Sequence, residues 1–367
     1  MPVILSRIRH QWRPGLGMLV LLSSFGCQSQ THTGPDLLIN PLGARKLGYH
    51  YQWSTDLAIP PGSRLDQAEV LDDLLVVIES PSNMVSAISL QDGTVRWVRS
   101  VASSLDRVYG ALRSGDRVLV NSETRLYSLA AETGTIVDSR NLKTSVAAPP
   151  ALAGGLLIFG ATDGQVFAQN LWDGFDRWTI QLSGQEATRP VLAGNGLFVA
   201  DDAGSYALLA IDNGALLRDG RTFARISATP TVGDASLFVA SEDATLYALN
   251  GVTLQDRWKF RATRPLTRSP QVLGNMVFLT VPGYGLVALD AASGKKLWER
   301  RGRAEPITRR RDKLLILDRG ALVLVMADTG AQIVQVPVKP LNRVLTTADD
   351  NLILVSPEGR LMRLDRV

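Results

Sequence analysis

The chain has 367 residues, and 39 Lys and Arg against 35 Asp and Glu leave a formal net charge of only +4. Its single cysteine, Cys27, and its three histidines, His10, His32 and His50, all lie near the N-terminus. The long remainder therefore lacks the side chains for Ser-His-Asp or Cys-His catalysis, for haem attachment and for His- or Cys-ligated zinc.

At the start of the chain, Arg7, Arg9 and Arg13 precede the apolar run from Leu16 to Leu22, and small residues then lead to Cys27. Basic residues, a short apolar run and small residues predict a secretory signal peptide over residues 1–26. The run is about ten residues, half of what spans a bilayer, which disfavours the alternative of a transmembrane anchor. Cys27 resembles the cysteine that is lipidated in bacterial lipoproteins. Ser24 and Phe25 depart from the usual sequence before that cysteine, so a secreted protein with an incidental thiol is the other reading. Residues 27–50 read as a polar tether with a mean reach of roughly 25 Å. Gln28 is not the aspartate that retains lipoproteins at the inner membrane of enteric bacteria, which points to an outer-membrane anchor facing the periplasm. Removing residues 1–26 takes away Arg7, Arg9 and Arg13 and no acid, so the net charge falls from +4 to +1.

An internal repeat of about forty residues occupies 51–367. Its clearest copy runs from Ala288 through Asp290 and Gly294 to Trp298, a pattern Ala-x-Asp-x-x-x-Gly-x-x-x-Trp. Ala87, Ala168 and Ala248 precede Trp97, Trp178 and Trp258 at the same spacing, with Gly93 and Gly174 between two of these pairs. The register also falls on Asp138, Arg218 and Val334, after turns holding Gly134, Gly214 and Gly330. Short apolar runs around polar turns, such as Leu237 to Ala240 and Leu246 to Leu249, read as hairpins. Four short strands in about forty residues cannot bury their own faces, which predicts blades stacked radially.

The predicted fold is thus all-β, an eight-bladed propeller of four-stranded antiparallel blades. The eighth hairpin has no strand after it, whereas Tyr51 to Thr55, with Trp53, has no hairpin before it. That orphan is expected to supply the eighth blade's outer strand and close the ring. The tryptophans, Trp53 included, are expected to lie against the next blade, where a small Ala and a Gly turn leave room for an indole.

Basic residues cluster between Arg257 and Lys313, among them Lys295, Lys296, Arg300, Arg301, Arg303, Arg309, Arg310 and Arg311. Arg300, Arg301, Arg303 and the Arg309–Arg311 run are candidate contacts for an acidic partner or anionic lipid, against the plainer reading of a solvated face. The Arg309–Arg311 run aligns with Ser269-Pro270-Gln271 of another repeat, a register that would line the channel or its rim. The pairs Asp72-Asp73, Asp201-Asp202 and Asp349-Asp350 read as turn residues rather than as catalytic or calcium-binding carboxylates. Tyr127, Tyr247 and Trp172 read as packing residues. No nucleic-acid-binding motif accompanies the charge.

The Ala-x-Asp-x-x-x-Gly-x-x-x-Trp repeat resembles the pyrroloquinoline-quinone (PQQ) type of propeller repeat with its tryptophan-docking motif. One branch of that family comprises quinoprotein dehydrogenases, which the resemblance would endow with PQQ, calcium and an adjacent cysteine pair; this chain has no such pair. The other comprises non-enzymatic BamB-like lipoproteins of the outer-membrane β-barrel assembly machinery, whose layout of signal, cysteine, tether and eight hairpins this chain shares. That resemblance implies a non-enzymatic envelope scaffold without cofactor or metal, its ring a monomer that binds other envelope proteins. A ligand-binding or sensory propeller with an anion-binding channel is the alternative reading, and a PQQ-dependent dehydrogenase the more distant one.

Overall fold

Eight hairpin-built sheets, each of four antiparallel strands, account for the repeats. The structure, a computed structural model, describes residues 37–367 except Asp234; residues 1–26, read above as a signal peptide, and Cys27 lie outside the described residues. Blades 1 to 7 follow one another along the chain, each running from an inner to an outer strand, as in Arg64–Leu71, Leu74–Ser80, Met84–Ser89 and Val95–Ser100 of blade 1. Blade 8 takes its inner three strands, Arg343–Thr346, Leu352–Val355 and Arg360–Arg366, from the C-terminus. Its outer strand is Tyr49–Asp56, which pairs antiparallel with Arg360–Arg366 and closes the ring. The middle strands are almost wholly buried, as in Leu74–Ser80 and Leu156–Gly160, because both of their faces meet a neighbouring blade.

Strand direction separates two faces. Turns between the first and second and between the third and fourth strands open on one, the paired-turn face. Turns between the second and third strands and the links between blades open on the other, the connection face.

Five blade junctions share one contact. The indole N–H groups of Trp53, Trp97, Trp178, Trp258 and Trp298 donate to the carbonyls of Leu90, Ala131, Ile211, Ala291 and Ala327 on the next blade, at 2.7–3.0 Å. Each ring covers the glycine of that blade's outer turn. A Cβ at Gly93, Gly214, Gly294 or Gly330 would stand 2.5–2.7 Å from ring atoms, and Gly134 is equally crowded by Trp97. These glycines also hold φ between +66° and +75°, so they are required twice over. The repeat alanines belong to the indole's own blade: Ala87, Ala168, Ala248 and Ala288 are the cross-strand partners of Trp97, Trp178, Trp258 and Trp298.

The three junctions without tryptophan are filled in different ways. After blade 2, Arg140 packs over Gly174, so that glycine receives a guanidinium and not an indole. Burial pulls the Arg140 pKa below its ordinary value, opposed by Asp138 and Asp173. After blade 4, the turn position occupied elsewhere by glycine is Leu254, at φ 56°, whose N–H bonds the Asn250 carbonyl as that of Gly294 bonds Asp290. Its side chain is buried among Phe198, Tyr206 and Leu208 of blade 4 and Leu237, Val239 and Leu249 of blade 5. After blade 7, blade 8 has no outer turn, because its outer strand comes from the other end of the chain. Here the short helix Pro41–Lys46 packs on the outer strand of blade 7, with Val336 against Gly43 and with Ala44 fully buried.

That helix corrects the tether expected over 27–50 for residues 37–50; residues 27–36 lie outside the described residues. Leu38, Ile39, Ala44, Leu47 and Tyr49 are buried, Ile39 bridges Val338, and the Lys339 N–H donates to the Leu38 carbonyl. Polar composition hid these apolar anchors, which are too few to show a period. The closing strand likewise begins at Tyr49 and not Tyr51, which brings His50 into the ring opposite Asp365.

Two outcomes follow for stability. Leu254→Gly should cost about 1–3 kcal/mol, the cavity left by leucine offset partly by relief of its positive φ. Gly294→Leu should cost more, and combining it with Trp258→Ala should recover part of that loss. Urea unfolding of the four variants checks both, and strictly additive Gly294 and Trp258 effects would refute the packing argument. Burial also raises the Tyr49 phenol from 10.0 to about 12, with Arg310 and Arg366 lowering it and Asp350 raising it. The folded chain therefore keeps this proton longer than the unfolded one. Its contribution is complete below pH 10 and is lost as the pH rises towards 12. Melting temperatures across that window should fall less steeply in Tyr49→Phe than in the wild type.

Candidate binding surfaces

The six candidate arginines do not form one patch, because antiparallel strands carry them to opposite faces. Arg300 and Arg301 end the outer strand of blade 6, and Arg303 lies in the link to blade 7, all on the connection face. Arg300 Nε lies 2.7 Å from the buried Asp318 carboxylate, and Arg300 Nη2 donates to Gln332 Oε1 at 3.1 Å. The Arg301 guanidinium lies 4.7 Å over the Tyr284 ring.

Arg309, Arg310 and Arg311 stand on the paired-turn face, at the end of the inner strand Ala304–Arg310 and in its turn. The expected alignment with Ser269-Pro270-Gln271 is three residues out of register. Arg310 pairs with Lys313 across its turn as Leu273 pairs with Met276, so the run corresponds to Val272-Leu273-Gly274. The link into blade 7 is shorter and its inner strand longer than in blade 6, and repeat counting could not register that exchange. Two of these arginines tie blades together. Arg309 donates to Asn275 Oδ1 of blade 6, while Arg310 donates to the Asp350 carbonyl of blade 8 at 2.7 Å and covers the Tyr49 ring. Arg311 is exposed.

The channel is lined instead by mixed charges. A space of about 480 Å³ beside the inner strands of blades 6, 7, 8 and 1 touches Asp66, Gln271, Glu305, Ile307, Asn342 and Arg343. Burial raises the Glu69 carboxyl above its ordinary value, while Arg189 and Arg343 lower it. Both signs therefore meet in the channel, which does not give it the character of an anion receptor.

The paired aspartates serve turns and ion pairs. Asp201 is fully buried and accepts from the backbone N–H groups of Gly184, Ala203 and Ser205 at 2.8–3.0 Å, and Asp202 accepts from Gln185 and Glu186. Asp73 pairs with Arg96, and Asp350 with Arg310 and Arg366. Among the described residues, no three His, Cys, Asp or Glu side chains gather as a metal site.

Sequence reasoning missed the exposed apolar surface of blades 2 to 4. Tyr127 and Tyr247 are buried, but Trp172, expected to pack, is 70% exposed, as is Phe175 at the other end of the same turn. Ile136 and Val137 on the outer strand of blade 2, and Leu216 and Leu217 on that of blade 4, are also exposed. Phe223, in the link after blade 4 and therefore on the connection face, is 92% exposed and stands apart from these residues. A groove of about 590 Å³ runs between the outer parts of blades 3 and 4, lined by Ile180, Leu182, Tyr206 and Leu216. The available signal was an aromatic pair, Trp172 and Phe175, around a turn that already had its glycine.

Comparison with known proteins gives a consistent family. The profile described as outer membrane protein assembly factor BamB matches residues 81–225 and 218–344. The outer membrane protein assembly factor BamB of Moranella endobia (strain PCIT) is 23% identical over 312 residues, covering 76% of this chain and 80% of that protein. Among solved structures, BamB from Moraxella catarrhalis superposes with a TM-score of 0.68 at 21% identity, covering 85% of this chain and 98% of the other. The computationally designed Ika8 protein superposes with a TM-score of 0.67 at 12% identity, covering 83% and 96%, so ring geometry arises without shared sequence. The tryptophan-docked ring and the profile match across most of the repeats together establish that the chain belongs to the BamB family of PQQ-repeat propellers.

Proposed function

We propose that this chain is a non-enzymatic scaffold of the cell envelope. It is exported by a signal peptide over residues 1–26, anchored through a lipid on Cys27 at the periplasmic side of the outer membrane, and binds a component of the machinery that assembles outer-membrane β-barrels. The observation that carries this reading is the exposed apolar surface of blades 2 to 4, centred on Trp172 and Phe175. Large aromatic side chains held by turns on a rigid ring suit a protein interface, because they offer contact area at little conformational cost. The description of the matching family and the name of the Moranella relative, outer membrane protein assembly factor, support the class of partner. Neither catalysis nor a cofactor is needed. The ring supplies a fixed surface, and the anchor raises its local concentration beside membrane partners.

The test is an affinity pull-down of the tagged full-length protein from mild-detergent envelope extracts. It is run beside Cys27→Ser and a Trp172→Ser, Phe175→Ser, Leu216→Ser triple variant. Wild type should retain a β-barrel assembly component, Cys27→Ser should retain less, and the triple variant should lose it at an unchanged melting temperature. A triple variant that captures the component as wild type does would refute the surface.

A further inference from the structure

The second-to-third-strand turns of the connection face differ in charge between blades, although the links into blades 2 to 5 add Arg107, Lys143, Arg189 and Arg225. In blades 2 to 5 these turns carry Glu123, Asp163, Asp202 and the pair Glu242 and Asp243. The same turn is Pro282-Gly283-Tyr284 in blade 6 and contains Arg319 in blade 7. There Arg264 and Arg268, from the link into blade 6, and Arg303, from the link into blade 7, converge with Arg319 on one cleft of about 750 Å³. Arg268 and Arg303 line it, and so do Gly283 and Gly302. The Arg264 guanidinium carbon lies 3.8 Å from the point a Cβ on Gly283 would occupy, and the Arg319 side chain 3.9 Å from that point on Gly302. Three acids are nearby. Glu305 is paired with Arg268 at 3.0 Å, Asp318 with Arg300 and Arg319, and Glu299 with Lys296. Among the described residues Arg264 and Arg303 have no ion pair, so the cleft keeps an excess of positive charge.

The N-terminal segment meets the ring on this same face. Leu38 and Ile39 are held by Lys339 and Val338, and the Val338 N–H donates to the carbonyl of Gly320, the residue after Arg319. Leu37 is thus rooted at the basic end of the face. Ten residues of chain reach from Cys27 to Leu37, about 35 Å at full extension. The opposite face is of mixed sign: its inner turns carry Asp72, Asp73, Asp116, Asp349 and Asp350, of which Asp73 and Asp350 are ion-paired, together with the Arg309–Arg311 run of blade 7.

We infer that the arginine cleft between blades 6 and 7 seats the phosphate headgroups of an anionic bilayer surface and turns the connection face of the ring towards the membrane. Guanidinium groups pair with phosphate through two parallel N–H bonds, and the glycine walls leave the cleft open to a headgroup. The inference rests on the proposed Cys27 anchor for its reach, while the charge of the cleft is independent of it.

The experiment uses the full-length protein purified from envelopes and added to vesicles of phosphatidylcholine alone or with one-third phosphatidylglycerol. A fluorophore on Thr267→Cys reports the cleft, one on Asp92→Cys reports the opposite face, and a nitroxide headgroup lipid is the quencher. Quenching at position 267 should rise severalfold with phosphatidylglycerol, and that at position 92 should not. Partitioning driven by the cleft should weaken about fivefold per arginine removed. Arg264→Ser with Arg303→Ser, which breaks no ion pair described above, should therefore lose most of the rise, and adding Arg268→Ser and Arg319→Ser should abolish it. Binding to phosphatidylglycerol vesicles only, with this quenching pattern, would refute the lipid anchor and leave the cleft assignment standing. Binding to both vesicle types with equal quenching at position 267 would overturn the cleft assignment and leave the anchor. Binding to neither would overturn both. A melting temperature raised by soluble glycerol phosphate, without the lipid-dependent quenching, would assign the cleft to a soluble anion and also overturn it.

Discussion

A blade of four short strands has two apolar faces and too little chain to cover either, so every blade depends on the next. The recurring solution is an indole laid over a glycine turn with its N–H on the adjacent carbonyl, as with Trp97 over Gly134 and Trp298 over Gly330. The ring surface of the tryptophan excludes water from the junction, while its one polar atom finds a partner in a buried setting. Trp53 makes the same contact from the strand that enters at the N-terminus, so closure repeats the ordinary junction.

Where the tryptophan is absent, the space at the junction is filled by other means. Arg140 occupies the space over Gly174, and Leu254 grows from the turn itself to fill the gap between blades 4 and 5. The junction of blades 7 and 8 lacks a turn because the outer strand of blade 8, Tyr49–Asp56, comes from a distant part of the chain, and Pro41–Lys46 takes its place. These exchanges explain why the repeat degenerates at Asp138, Arg218 and Val334 without a break in the ring. Close packing constrains the pair of facing residues and not either one alone.

Rigidity of this kind separates the surface from the core. The two faces and the outer edges carry different chemistry: exposed aromatic and aliphatic side chains on blades 2 to 4, and arginines on the connection face of blades 6 and 7. They lie in different blades, so one ring presents an apolar edge and a charged face at the same time. Neither set contributes to the indole contacts that hold the ring, which leaves both free to vary.

Local pattern carried the architecture. Period-two strands, polar turns and the Ala to Trp spacing identify a blade from its own residues, and the orphan strand around Trp53 implied closure because a sheet edge must be paired. The tryptophan positions were legible for the same reason, since each copy repeats the same local demand. What touches what across a junction was not. Leu254, Arg140 and the helix Pro41–Lys46 compensate for residues far from them in sequence, and a single chain offers no local sign of such pairing. Charge was misleading in another way, because antiparallel strands sent Arg300–Arg303 and Arg309–Arg311 to opposite faces although they are neighbours in the chain. The sequence alone determined the repeat, the strands and the closed ring, because those follow from short-range periodicity and from unpaired edges. Only the tertiary structure decided which side chains share a face, a cleft or a junction, because that depends on strand direction and on blades brought together by closure.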